Sequence, residues 1–191
     1  MKLVFATNNA NKLSEIQTLV PEGIEILSLR DINCNEELPE TNPTLEGNAL
    51  QKAKFVFDNY GYNCFADDTG LEIDALGGEP GVYSARYAGE NCIAEDNINL
   101  VLNKLKGETS RTAIFRTVIA LIIDGEETLL EGSCKGKITK TKSGLEGFGY
   151  DPIFIPNGCK ITFAEMTKSH KGAISHRGRA VEKLVLFLAT D

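Results

Sequence analysis

Two adjacent carboxylates, Asp67 and Asp68, follow a short apolar approach through Cys64, Phe65 and Ala66 and precede a hydroxyl and a glycine, Thr69 and Gly70. The pattern predicts a strand that ends in a tight turn, and strand ends are where α/β enzymes hold their chemistry. Successive strand side chains face opposite ways, so both acids reach one site only if the turn begins between them. One aspartate is therefore expected to act and the other to brace it. A second candidate is the polar stretch Thr7-Asn8-Asn9-Ala10-Asn11-Lys12 ahead of an amphipathic run. The first turn of a helix carries unpaired N–H groups and a positive dipole end, and Lys12 adds a full charge, a combination that suits phosphate. Asparagines that merely cap the helix would read the same, and the stretch is neither a Walker loop nor GxGxxG.

Three further groups have side chains able to bind or polarise a ligand. Asn48 and Lys52 lie four residues apart in a helical pattern and share a face. Spacing alone favours a solvent-facing pair, with a cleft-facing pair as the alternative. Residues 144–156 alternate glycine with aromatics before Asp151 and Pro152, so that backbone can approach a flat ligand while Phe148 and Tyr150 offer stacking faces. Aromatic core packing is the competing reading. Residues 169–179 bring together His170, His176, Lys171, Arg177 and Arg179 just before a closing helix expected over 180–188. Cations at a helix start oppose its dipole, so an anionic or electron-rich partner is expected there.

The elements that must position these groups are legible in outline. Residues 2–6 form a β-prone run. Leu13, Ile16, Leu19 and Val20 give a helix that Pro21 closes, and Ile24 to Leu29 give a second strand. Residues 31–43 form an acidic loop with Glu36, Glu37 and Glu40. Thr44 or a neighbour caps a helix over roughly 45–60, with Leu45, Ala49, Ala53, Val56 and Phe57 as its apolar stripe. Residues 77–87 form a glycine-punctuated loop, 96–105 a helix, and 112–123 with 128–134 a hairpin turning at Asp124-Gly125. An antiparallel hairpin beside strand-helix units makes the sheet mixed.

The 191 residues suit one domain. An apolar share of 42% and a charged share of 25% are those of a globular chain. No apolar run is long enough for a membrane span and no signal-peptide core follows Met1 and Lys2, so the expected compartment is the cytoplasm. The five cysteines are odd in number, far apart and never in a CxxC pair, and read as free thiols. A net charge of -7 disfavours nucleic-acid polymers as partners and leaves room for a small anion where basic groups converge.

As a set these residues resemble the Ham1 or inosine triphosphate pyrophosphatase family. The matching pieces are Thr7-Asn8-Asn9 with Lys12; Thr44-Leu45-Glu46 with Asn48-Ala49 and Lys52-Ala53; Ala66 to Leu71; Gly81 to Tyr87; Phe148 to Pro152; and Ser175 to Gly178. They follow family order over nearly the whole chain. Asn8 stands where glycine is common and Thr69 where serine is common; asparagine tolerates positive φ, and threonine keeps the hydroxyl. The resemblance implies an α/β fold, a twisted mixed sheet flanked by helices in one two-lobed domain over 1–191. The active site would lie in a cleft between the lobes, and the assembly is expected to be a homodimer. It implies hydrolysis of dITP, ITP, XTP and dXTP to monophosphate and pyrophosphate, with magnesium as cofactor. On the family pattern Thr7, Asn8, Asn9, Ala10, Asn11, Lys12, Lys52 and Thr69 bind substrate, and Phe148, Gly149, Tyr150, Asp151, Lys171, His176 and Arg177 hold the nucleotide. Glu40 and Asp68 would ligate metal, and Asp68 would also prepare the attacking water. A donor from Arg177 or His176 would meet the 6-oxo group that distinguishes hypoxanthine and xanthine from adenine. A pyrophosphatase for other modified nucleotides, or a catalytically silent nucleotide-binding regulator, are the alternatives.

Overall fold

The structure, a computed structural model, describes residues 1–189. Lys2–Phe5 (β1) pairs in parallel with Glu25–Leu27 (β2) on one side and with Cys64–Ile73 (β3) on the other. Pro80–Gly81 (β4) lies antiparallel on β3. Thr112–Ile123 (β5) and Glu126–Ile138 (β6) follow, and Phe154–Pro156 (β7) runs antiparallel on β6. The strand order is β2-β1-β3-β5-β6-β7, a mixed sheet as expected. Asp124 and Gly125 both take positive φ, 50° and 89°, the primed-turn geometry that lets a two-residue connection match strand twist.

Among the described residues five α-helices accompany the sheet: Ala10–Leu19 (α1), Leu45–Tyr60 (α2), Ala94–Lys104 (α3), Lys168–Ile174 (α4) and His176–Leu188 (α5). Thr44 caps α2, its hydroxyl accepting the Gly47 N–H at 3.1 Å, and Gly61 at φ 70° ends it. Residues 1 to 9 of the chain, like 28 to 44, are mostly loop outside the short strands, with one 3-10 turn at Arg30–Ile32.

The chain divides into two compact units. The first comprises Met1–Asp68, Thr117–Gly132 and the stretch from Arg177 onward. Its core joins Leu3 and Phe5 of β1, Ile16 of α1, Phe65 of β3, Ile119 and Leu121 of β5, and Ala180, Val181 and Leu184 of α5. Phe5 and Phe65 stack at 4.6 Å between centroids. The second comprises Thr69–Arg116 and Ser133–His176, with a core of Leu71, Ile98, Val101, Phe115, Phe154 and Phe163. Cys34, Cys64 and Cys134 are buried and all five thiols are free, as expected; burial pushes the Cys64 thiol up to about 12.

Three sequence expectations are corrected here. β3 does not end at the two aspartates but continues through them to Ile73. β6 runs well past both ends of the expected 128–134, because its alternation of buried Cys134, Gly136 and Ile138 with exposed lysines continues to Ile138. The closing helix starts at His176 instead of 180, and a separate short helix, α4, precedes it.

Candidate active site

Because β3 is unbroken, Asp67 and Asp68 point to opposite faces of the strand. Asp67 is completely buried. Its Oδ1 accepts from Lys12 Nζ at 2.9 Å and its Oδ2 from Arg177 Nε at 3.2 Å. Arg177 also donates through Nη1 to Glu15, which stands one turn beyond Lys12 on α1. The result is a linear chain of four charges, Lys12, Asp67, Arg177 and Glu15, drawn from β3, α1 and the start of α5. Burial pushes the Asp67 carboxyl upward, but the opposing charges of Lys12, Arg177 and Lys52 outweigh it and hold the group well below the usual carboxylate range. The anion expected to meet the cations at the closing helix is thus found, in Asp67 and Glu15.

Asp68 has a different setting. Its Oδ2 accepts from Asn48 Nδ2 at 3.2 Å and its Oδ1 lies 3.9 Å from Lys52 Nζ. Burial raises its pKa above the ordinary value; the lysines Lys52 and Lys12 oppose that shift, and the Glu40 carboxylate adds to it. Asn48 and Lys52 are 1% and 4% exposed, so the solvent-facing reading of this pair is overturned. Both lie on the side of α2 turned to β3, where an apolar stripe with Ala49, Ala53 and Val56 buries the helix. Lys52 Nζ donates to the main-chain oxygen of Asp67 at 2.7 Å and pairs with the Glu40 carboxylate. One ammonium therefore reaches both Glu40 and Asp68, which shows that these two carboxylates converge within reach of a single cation. Among the described residues no cluster of three or more His, Cys, Asp or Glu side chains is placed to hold a metal. A two-carboxylate site of oxygen donors suits a hard cation that completes its shell with water and substrate oxygens, as magnesium does.

The Thr7 to Lys12 stretch performs capping as well as charge placement. Asn9 is the N-cap of α1, and its Oδ1 accepts from the backbone N–H groups of Asn11 and Lys12 at 2.9 and 3.2 Å. Thr7 Oγ1 accepts the Asn9 N–H at 3.1 Å. Two of the amides that would have faced a phosphate are therefore occupied, while Ala10 and Asn11 lie exposed in the first turn. Burial lowers the Lys12 pKa, Asp67 counteracting and the neighbouring Lys52 and Arg177 reinforcing the shift. Asn8 is not among the residues with positive φ, so backbone tolerance does not account for it. Its side chain instead donates to the Glu36 oxygen at 3.3 Å and accepts the Leu38 N–H at 3.2 Å, which clasps the acidic loop two residues before Glu40.

In the second unit, Lys171 Nζ donates to Asp151 Oδ2 at 2.7 Å and lies 5.0 Å over the Phe148 ring and 5.7 Å from that of Phe163. Asp151 Oδ2 also accepts the Phe148 N–H at 2.8 Å. Gly147, at φ 73°, passes so close that a Cβ there would fall 2.0 Å from that carboxylate oxygen, so glycine is required. Gly149 also takes positive φ. His176 is buried against Phe115, the rings stacked at 4.4 Å. Tyr150 is 5% exposed, packs in the core and donates its hydroxyl to the Ser84 carbonyl at 2.7 Å. It offers no stacking face, contrary to expectation; Phe148, half-buried, keeps that role open. Thr69, half-buried on β3, belongs to this unit.

Arg177 belongs to the first unit and His176 to the second. The sequence offers the two as alternative base donors; in the fold, Nε and Nη1 of Arg177 donate to carboxylates of the first unit. Glu15 was missed; the signal for it was its i, i+3 spacing from Lys12, which places both on one helical face.

A sequence model described as the Ham1 family matches residues 3–187. A dITP/XTP pyrophosphatase of Flavobacterium johnsoniae is 57% identical over 97% of this chain and 96% of its own length. One of Christiangramia forsetii is 56% identical over 99% of this chain and all of its own. The Staphylococcus aureus Ham1 protein, a solved structure, shares 39% identity with a TM-score of 0.89, covering 100% of this chain and 99% of that one.

Proposed function

The chain belongs to the Ham1 family, and on that premise we propose that it hydrolyses the α-β phosphoanhydride of non-canonical purine nucleoside triphosphates, dITP, ITP and XTP, to monophosphate and pyrophosphate. The observation that carries this reading is the split environment of the two aspartates: Asp67 held ionised between Lys12 and Arg177, Asp68 buried with a raised pKa beside Asn48 and Lys52. A carboxyl of raised pKa is the better proton acceptor, and Asp68 is the general base that takes a proton from the attacking water. Water adds to the α-phosphorus as the bond to the bridging oxygen breaks, pyrophosphate departs, and the proton rests on Asp68.

Glu40 and Asp68 are the residues that hold the divalent cation, magnesium by the chemistry of the donor set. Bound there, it offsets phosphate charge and acidifies water. Lys12 and Lys52 supply further positive charge for the phosphates, which would otherwise meet carboxylates at a cost of about 4 kcal/mol per close pair at an effective dielectric of 20. Thr7, Asn8 and Asn9 hold the shape of the phosphate loop, with Ala10 and Asn11 in its exposed first turn. In the second unit Phe148 supplies a stacking face, Gly147 and Gly149 the close backbone approach, and Lys171 with Asp151 a donor and acceptor for the base edge.

Hypoxanthine and xanthine present an acceptor at the 6-position where adenine presents a donor. The discriminating donor is assigned to Arg177 or His176, although two nitrogens of Arg177 also donate to Asp67 and Glu15. A donor left facing an amine can discriminate by up to ~10⁴-fold. A homodimer working in the cytoplasm, with no nucleic-acid polymer as partner, completes the reading; the net charge of -7 supports its last part. Among the described residues no helix is long and apolar enough to cross a membrane.

The test is a panel of dITP, ITP, XTP, dATP, ATP, dGTP, GTP and modified pyrimidine triphosphates, with and without magnesium, pyrophosphate and orthophosphate being detected separately. Magnesium-dependent pyrophosphate release confined to the inosine and xanthosine nucleotides is expected. Release of orthophosphate, or equal rates with ATP, would refute the assignment, as would Asp68→Asn turning over at more than a hundredth of the parent rate, since a general base contributes about 10²-fold or more.

A further inference from the structure

Lys52 holds three oxygens at once. Its Nζ donates to the Asp67 carbonyl at 2.7 Å, pairs with the Glu40 carboxylate and stands 3.9 Å from Asp68 Oδ1. The three contacts are not equivalent. The carbonyl is a neutral main-chain group in the middle of a sheet strand and cannot move away. The Glu40 side chain, by contrast, lies on a loop and is 36% exposed. Glu40 and Asp68 are also the two carboxylates to which the proposed function gives the divalent cation, and the inference rests on that reading.

We propose that Lys52 is the resident counter-ion of the metal site. In the nucleotide-free protein its ammonium occupies the position between Glu40 and Asp68, suppressing the repulsion that would otherwise push the Glu40 loop away from β3. A divalent cation cannot share those oxygens with an ammonium at contact distance, because like charges that close repel strongly in a partly buried setting. Lys52 therefore withdraws from Glu40 when the cation is bound, and the Asp67 carbonyl retains it nearby as a pivot. The displaced charge stays within the site, where only a polyanion can satisfy it. Cation and triphosphate are thereby linked: each removes the obstacle to the other, and by reciprocity each raises the other's affinity. The bare protein binds the cation weakly, and the lysine is the cause.

A lysine fixed only for phosphate contact would act on the metal merely as one more positive charge at a distance. Lys12 is the internal comparison, since it also bears electrostatically on Asp68 but its ammonium sits on the Asp67 carboxylate. The experiment uses the full chain without nucleotide and Mn2+ as the probe, with free Mn2+ followed by its paramagnetic resonance and binding by calorimetry. Lys52→Met and, as a second variant of polar character, Lys52→Gln should each tighten Mn2+ binding by about tenfold or more. Lys12→Met should change it by less than about a third of that factor. Urea unfolding of each variant shows that it is folded. Unchanged or weaker binding by both Lys52 variants, with binding still lost in Glu40→Gln, would overturn the proposal and leave the metal reading standing. Tightening by Lys12→Met as large as by Lys52→Met would overturn it too. Mn2+ binding indifferent to Glu40→Gln would instead sink the metal reading itself.

Discussion

Asp67→Asn keeps the shape of the strand and removes one charge from a fully enclosed position. The parent carboxylate has cations at 2.9 Å (Lys12) and 3.2 Å (Arg177), and the side chains of the two cations are 13% and 2% exposed. At an effective dielectric of 20 each pair is worth about 5 kcal/mol before desolvation. The amide leaves Lys12 and Arg177 facing each other with Glu15 as the nearest counter-charge, and removing one partner of a buried pair costs about 3–5 kcal/mol. That is a large share of the ~5–15 kcal/mol that holds a domain folded. The assay is urea unfolding followed by far-ultraviolet circular dichroism and tyrosine fluorescence, because the chain has five tyrosines and no tryptophan. The pH dependence supplies a sign. The Asp67 pKa is depressed on folding, so its contribution is present above the unfolded value of 3.8 and lost as pH falls through the folded value. The cost of the substitution should therefore be constant from about pH 5 to 7 and shrink only in stronger acid. A loss below about 1 kcal/mol at neutral pH, the range of an exposed pair, would refute the buried-network account.

The neighbouring aspartate should behave oppositely. The Asp68 pKa is raised on folding, so the stability of its protonated form is present below 3.8 and lost as pH rises through the folded value. Asp68→Asn should raise the urea midpoint at pH 7 while abolishing turnover, and a destabilisation like that of Asp67→Asn would show that the two environments are not distinct. Asn8→Gly should leave global stability within about 0.5 kcal/mol, as a surface change does, yet accelerate amide exchange at Leu38, whose N–H loses its acceptor; unchanged exchange there would dismiss the clasp.

Where local pattern and tertiary demand agree, the elements were legible. α2 carries its cap, its apolar stripe and its left-handed C-terminal glycine within one contiguous stretch, and it runs from Leu45 to Tyr60 as the pattern predicts. The β5–β6 hairpin likewise has its turn chemistry between its strands. β3 was misread because Asp67-Asp68-Thr69-Gly70 looks like a turn to any local rule. It remains a strand because the cations that make two buried acids tolerable come from residues 12, 52 and 177, and no window contains them. The same long-range demand buries Asn48 and Lys52, which helical spacing alone would leave in solvent. For Arg177 the local signal was the right one, a cation at a helix start in want of an anion, and only the fold could say that Asp67 and Glu15 supply it. Tyr150 illustrates the reverse: glycine-flanked aromatics suggest a ligand face, and a hydroxyl bonded to the Ser84 carbonyl makes this one core.

The unbroken path of β3 through both acids makes their roles a matter of parity. Deleting or inserting one residue between Phe65 and Asp67 would exchange the faces the two carboxylates occupy: deletion would bring Asp68 to the position that meets Lys12 and Arg177, and insertion would bring Asp67 to the position that meets Asn48 and Lys52. Both carboxylates would survive in the sequence, yet only one of them would stand among charged partners, and those would be the other's. A change of two residues would restore the faces and lengthen or shorten the strand. Descent within this fold can therefore vary the side chains along this strand far more freely than it can vary their number.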